Sequence, residues 1–231
     1  MTVPRSQGGS MNIGIFGGSF DPIHVGHTHT ALLFKKLLQL DRVLLLPAFA
    51  PFYKETCQTP YAHRLAMCRL AAEGAEGVEA SDLERSMPKS SFTCDVVREM
   101  KKRYPGHTFF LLLGGDAFAR MPHWKGVDEI IETLIIGVVQ RGETKVRADA
   151  CRKVEMELRR RGGDIRIFDA PILPISSSMI RAKAARGEPI RAFVPPSVAD
   201  HIQQYALYER ALHTSCKTPA TEEARSLSVL G

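Results

Sequence analysis

Short apolar runs alternate with stretches of helical periodicity along almost the whole chain, and that alternation leaves few folds open. Asn12–Phe16, Val43–Leu46, Val78–Ser81, Thr108–Leu113, Leu134–Gln140 and Ile165–Phe168 read as strands. Val43–Leu46 is apolar throughout, as expected of a strand covered on both faces. Between the strands, Val25–Leu40 carries Ala31, Leu33, Phe34, Leu37 and Leu38 at helical spacing. Tyr61–Glu73, Phe92–Tyr104, Ala148–Arg161, Ser177–Arg186 and Ser197–Leu212 also read as helices, with Pro105-Gly106 and Gly187 acting as stops. Strands separated by helices need crossover connections, which turn back onto one mostly parallel sheet. The expectation is an α/β architecture: a doubly wound, Rossmann-like parallel sheet with helices on both faces. No internal repeat or linker interrupts residues 11–212, so they are read as one domain. Residues 1–10 and 214–231 are expected to be disordered extensions, unless translation starts at Met11.

Composition narrows the class further. With 44% hydrophobic residues in 231, the chain has apolar mass for a sizeable core, which excludes disorder as its main state. No apolar run reaches the roughly 18 residues a membrane span needs, and no signal peptide opens the chain. Cys57, Cys68, Cys94, Cys151 and Cys216 are odd in number and contain no C-x-x-C pair, so reduced thiols in a cytoplasmic protein fit better than a disulfide framework or zinc site. The net charge of +6 favours polyanionic partners without choosing among them. No basic stripe with interleaved aromatics supports nucleic acid. The sequence leaves oligomeric state open, a homo-oligomer included.

Ligands of open parallel sheets sit where strands run into helix N-termini. The first such junction reads Gly17-Gly18-Ser19-Phe20-Asp21-Pro22-Ile23-His24-Val25-Gly26-His27. Two glycines allow a backbone path close to a bulky ligand, and unpaired N–H groups at the helix start favour phosphate. His24 and His27, three apart, fall on one helical face, and Gly26 between them leaves room for a close approach. The pair forms an anion site of adjustable charge, since free histidine titrates near ~6.5. Two histidines could equally be half of a metal site, but no third ligand stands at a convincing spacing.

A second candidate anion site is Ile175-Ser176-Ser177-Ser178-Met179-Ile180-Arg181. The serines are natural N-caps, and Arg181 shares a helical face with Ser177 and Ser178. Hydroxyls, helix N–H groups and a guanidinium suit phosphate oxygens, although alone the segment also fits an ordinary capped helix.

The first junction resembles the signature of the HxGH nucleotidyltransferases, and the second segment resembles their I-S-S-T-x-I-R motif with Ser178 for Thr. Further stretches resemble the bacterial nicotinate mononucleotide adenylyltransferase family: Leu46–Lys54, Ser91–Asp95, Gly114-Gly115-Asp116, Pro122–Lys125, and Ile190-Arg191 with Val194-Pro195. Phe52 and Tyr53 replace the Pro and His of that family's L-P-x-x-x-P-P-H-K loop, and Arg141-Gly142 replaces its frequent Arg-Pro.

The resemblance implies adenylyl transfer from ATP to nicotinate mononucleotide, by in-line attack and without a covalent intermediate. It implies that His24, His27 and Arg181 are catalytic. Gly17, Gly18, Ser19, Phe20, Asp116, Ser176 and Ser177 would join them around ATP. Thr93, Trp124 and Lys54 would hold the mononucleotide, with Trp124 stacking on the pyridine ring. Mg²⁺ is expected through substrate phosphates, with no protein metal site. Alternatives are use of nicotinamide mononucleotide or phosphopantetheine, although the phosphopantetheine enzymes typically carry Thr where His24 stands; a cytidylyltransferase; or a catalytically silent nucleotide sensor.

Overall fold

A computed structural model of the chain describes residues 9–49, 59–87, 92–140 and 145–209. Six strands form one sheet: β1 (Asn12–Gly18), β2 (Arg42–Pro47), β3 (Val78–Ala80), β4 (Thr108–Gly114), β5 (Ile135–Gln140) and β6 (Ile165–Asp169). Their order is β3-β2-β1-β4-β5-β6 and every pairing is parallel. The connecting helices are α1 (Val25–Leu37), α2 (Tyr61–Glu73), α3 (Thr93–Arg103), α4 (Gly115–Phe118), α5 (Val127–Thr133), α6 (Lys145–Arg160), α7 (Ser177–Ala184) and α8 (Pro196–Gln204).

Alternate side chains of each strand enter two separate cores. Ile13, Ile15, Leu44, Leu46, Phe109, Leu111 and Leu113 face one, closed by Val96, Val97 and Met100 of α3 and Val127, Ile130 and Ile131 of α5. Phe16, Val43, Leu45, Phe110 and Leu112 face the other, closed by Ala31 and Phe34 of α1, Met67 and Cys68 of α2, Ile180 of α7 and Val198 of α8. Period-two burial on both sides explains why these strands read as continuous apolar runs. Strand order reverses direction between β1 and β4, so the crevice at their carboxyl ends is the place where such a sheet takes a ligand.

α6 begins at Lys145, three residues before the expected Ala148, and α7 ends at Ala184, two before Arg186; two further helices stop early for a visible backbone reason. α1 stops at Leu37 rather than Leu40, because Gln39 turns with φ 52° and sends the chain into β2. α8 stops at Gln204, well short of Leu212, and the chain then turns through Ala206 (φ 48°) and Tyr208 (φ 69°). α4, of four residues, and α5, of seven, were not expected: one and two turns are too short a run for apolar periodicity to stand out between β4 and β5. Cys68, Cys94 and Cys151 are buried and free; Cys57 and Cys216 lie outside the described residues. So do the expected extensions, apart from Gly9 and Ser10. No helix among the described residues is long and apolar enough to cross a membrane.

Candidate active site

The β1–α1 junction is built around stacked imidazoles. His24 is not inside the helix but is its N-cap, with extended backbone (φ −144°, ψ 169°), and His27 is the third helical residue. Their rings stack with centroids 3.6 Å apart and planes 24° from parallel. The His24 backbone N–H donates to His27 Nδ1 at 3.3 Å. That bond makes Nδ1 the acceptor, so the neutral tautomer of His27 carries its proton on Nε2. The rings of Phe16 and Phe20 meet His27 nearly edge-on, with centroids at 6.2 and 5.1 Å, and fix its orientation.

His24 is 5% exposed, and burial lowers its pKa to about 4. The adjustable charge expected of the pair is therefore absent from His24 at neutral pH: the imidazole is a neutral group until a polyanion arrives. Its Nδ1 is buried with no hydrogen-bond partner, an unmet polar group that the fold carries at a cost in stability.

Between about pH 4 and ~6.5 the unfolded chain binds a proton at His24 that the folded chain does not, so stability is full above this window and falls as pH drops through it. The shift corresponds to about 3 kcal/mol. Urea unfolding at pH 7.5 and pH 4 is expected to show a smaller pH dependence in His24→Asn than in the wild type, by about that amount; equal pH dependences would remove the buried neutral histidine from the account.

The glycines divide by role. A Cβ at Gly26 would come within 3.0 Å of His24 Nδ1, and one at Gly18 within 3.1 Å of the Phe20 ring. What makes the close approach at Gly26 is the His24 ring. At Gly17 and Gly114, by contrast, a Cβ would meet nothing within 4 Å. Gly17 is the last residue but one of β1 and Gly114 the last of the adjacent β4, so the crevice at the switch point is left open by glycines that packing does not require.

α7 reaches the same loop. Ser176 caps the helix, its Oγ accepting from the Met179 N–H at 3.2 Å and lying 3.1 Å from Ser178 Oγ. Ser177 Oγ donates to the Pro22 carbonyl at 2.9 Å, and Arg181 Nη1 donates to the Asp21 carbonyl at 2.6 Å. The Val25 N–H donates to the Phe193 carbonyl at 3.0 Å, fastening the loop that follows α7 to the start of α1. Two motifs about 150 residues apart in sequence thus share one loop.

The other expected site residues fall on the opposite core face or around the β4 end. Asp116 is exposed in α4, directly after β4. Thr93 opens α3, and the Trp124 segment packs against that helix start: Lys125 Nζ lies 4.4 Å from the Phe92 ring centroid, and a Cβ on Gly126 would fall 2.9 Å from Cys94 Cβ. Trp124 itself is half-buried and packs against the core, so one part of its ring surface is structural. The Phe20 side chain, 2% exposed, is packing too. Lys54, Phe52, Tyr53, Ser91 and Arg141 lie outside the described residues.

Arg64 escaped the sequence reading. It is 2% exposed on α2, and its guanidinium donates to three main-chain carbonyls: Ser19 at 2.8 Å, Thr59 at 3.1 Å and Phe49 at 3.4 Å. A signal was present, since Arg64 shares the helical register of the buried Met67, Cys68 and Ala71. An arginine in an apolar register must find carbonyls or carboxylates inside the fold.

Residues 15–183 match the family described as cytidylyltransferase-like. A protein of Exiguobacterium sibiricum named probable nicotinate-nucleotide adenylyltransferase is 35% identical over 198 residues, which are 86% of this chain and 99% of that protein. A namesake from Pseudomonas syringae pv. tomato is 34% identical over 217 residues, covering 90% and 95% of the two chains. Among solved structures, the nicotinic acid mononucleotide adenylyltransferase of Plasmodium falciparum complexed with NaAD matches with a TM-score of 0.69 over 86% of this chain and 97% of that one. At 23% identity, that likeness speaks to the fold.

Proposed function

Because the chain belongs to the cytidylyltransferase-like family and, within it, to the nicotinate-nucleotide adenylyltransferases, we infer its reaction and assign its residues from that premise. It is a nucleotidyltransferase that moves the adenylyl group of ATP to nicotinate mononucleotide, giving nicotinate adenine dinucleotide and pyrophosphate on the way to NAD. A 5′-phosphate oxygen of the mononucleotide bonds to the α-phosphorus as the bond from that phosphorus to the α,β-bridging oxygen breaks. A phosphate dianion needs no general base. The chain's task is to align two anions that repel each other and to stabilise the charge passing to pyrophosphate.

One observation carries the residue assignment: Ser177 and Arg181 close on the Asp21–Pro22 turn immediately before His24, so both anion motifs border one polyphosphate path. His27 donates through Nε2–H, and neutral His24 stacks on it and takes charge only as phosphate approaches. Arg181 uses one Nη on the loop and offers its other N–H groups to phosphate oxygens. The open space over Gly17 and Gly114 accommodates the nucleotide, with Asp116 at its edge. Thr93 and the backbone N–H groups beside Trp124 read the nicotinate carboxylate, and the free part of the Trp124 ring stacks on the pyridine. Lys54 completes the mononucleotide side.

Among the described residues, no three His, Cys, Asp or Glu side chains converge as a metal cage. A hard cation such as Mg²⁺ fits here through the phosphates that His24, His27 and Arg181 hold, where it supplies charge neutralisation. A single domain over residues 11–212, supported by the one sheet that β1–β6 share, and a cytoplasmic setting complete the reading.

Pyrophosphate release from Mg-ATP, measured separately with nicotinate mononucleotide, its amide and phosphopantetheine, tests the substrate. The acid is expected to turn over fastest. Activity on the amide alone would overturn the assignment of the carboxylate site, and silence with all three would favour a nucleotide sensor.

A further inference from the structure

A chain of buried and half-buried polar groups grips the β1–α1 loop at the Ser19 carbonyl and the Asp21 carboxylate, atoms that Ser177 and Arg181 do not bond. Arg64 holds the Ser19 carbonyl at 2.8 Å and the Thr59 carbonyl at 3.1 Å. The Tyr208 hydroxyl donates to Asp21 Oδ1 at 2.7 Å and is also hydrogen-bonded to the Thr59 side chain. Thr59 and Asp21 are 7% and 2% exposed. The network therefore joins α2, the segment before it and the turn after α8. It acts on Ser19 and Asp21, the residues on either side of Phe20.

Phe20 explains why such a grip is needed. Its backbone sits at φ 45°, the left-handed region that a bulky side chain rarely adopts, and its ring is buried against Phe16 and His27. A conformation of this kind persists only where the surroundings over-determine it. Here both neighbours are tied: Ser19 by Arg64, and Asp21 by Tyr208 through its carboxylate and by Arg181 through its carbonyl. Tyr208 reaches Asp21 only because the chain leaves α8 after Gln204 and turns twice through positive φ.

We propose that Arg64 and Tyr208 are positioning residues for adenylyl transfer, holding the Ser19–Asp21 turn so that the loop backbone and the His24–His27 pair meet the phosphates in register. The proposal rests on the reaction assigned above. Neither side chain is assigned a contact with substrate; both act through the loop. A displacement of about 1 Å at a reacting centre can cost roughly 10²-fold in rate, which sets the scale of the effect.

The decisive variant is Tyr208→Phe in the full chain, which removes one hydroxyl and keeps the ring; Arg64→Lys accompanies it. Each is compared with the wild type for melting temperature, for kcat and KM with both substrates, and for calorimetric affinity for ATP alone. The expected result for Tyr208→Phe is a melting temperature within a few degrees of wild type and a kcat lowered about ten- to a hundredfold, with weaker ATP binding. Arg64→Lys is expected to lose as much or more. Wild-type kcat and ATP affinity in Tyr208→Phe would overturn the proposal whatever Arg64→Lys does. A wild type that binds ATP yet releases no pyrophosphate with nicotinate mononucleotide would instead remove the reaction assigned above. The ATP affinities would then decide the positioning role alone, and equal affinities would overturn it.

Discussion

Replacing His27 by alanine is expected to lower turnover by on the order of 10²–10³ while leaving the chain folded, because one donor to the developing charge is lost. The structure gives this variant a mild structural cost. His27 is half-buried, and its Nδ1 accepts from the His24 N–H at 3.3 Å. Removing the ring uncovers faces of Phe16 and Phe20 and opens no gap in the sheet, so the stability change stays near the ordinary ~1 kcal/mol of a point substitution. Steady-state pyrophosphate release and a thermal melt on the same sample separate the two effects. Turnover near that of the wild type would remove His27 from the reaction.

Arg181 carries the second large effect. Its guanidinium makes a 2.6 Å bond to the Asp21 carbonyl, and the fork geometry leaves further N–H groups for a second partner. Arg181→Ala loses both functions, and a fall in kcat/KM for ATP of on the order of 10²–10³ is expected. Arg181→Lys keeps the charge but has no fork, so it can hold the loop or a phosphate oxygen but not both in the same geometry; it is expected to recover less than about tenfold of the loss. Full recovery by lysine would mean that charge alone matters and that the contact to Asp21 is incidental.

Much of this was legible before any coordinates. The strands were readable because burial on both sides makes them uniformly apolar, as in Val43–Leu46, and the crossover rule then left a doubly wound sheet. The junction after β1 was readable because strand, glycines, caps and histidines follow one another without interruption. What escaped reading depended on distance along the chain. Nothing local near Tyr208 shows that it meets Asp21, 187 residues earlier. The helical pattern of Ser197–Leu212 continued past the true end of α8, because tertiary contact and not propensity stops it. At Gly26 the close approach is legible, but spacing alone does not reveal that the His24 ring is what lies against it. Arg64 was within reach, since its register on α2 is that of the buried face.

All these readings converge on a single triphosphate held between the β1–α1 loop and α7. A crystal structure of the full chain with a non-hydrolysable ATP analogue examines that directly. The account predicts phosphate oxygens within hydrogen-bond distance of both the His24–His27 pair and the Arg181 guanidinium, with the nucleotide over Gly17 and Gly114. An analogue whose phosphates reach neither group, or touch only one side of the crevice, would contradict it.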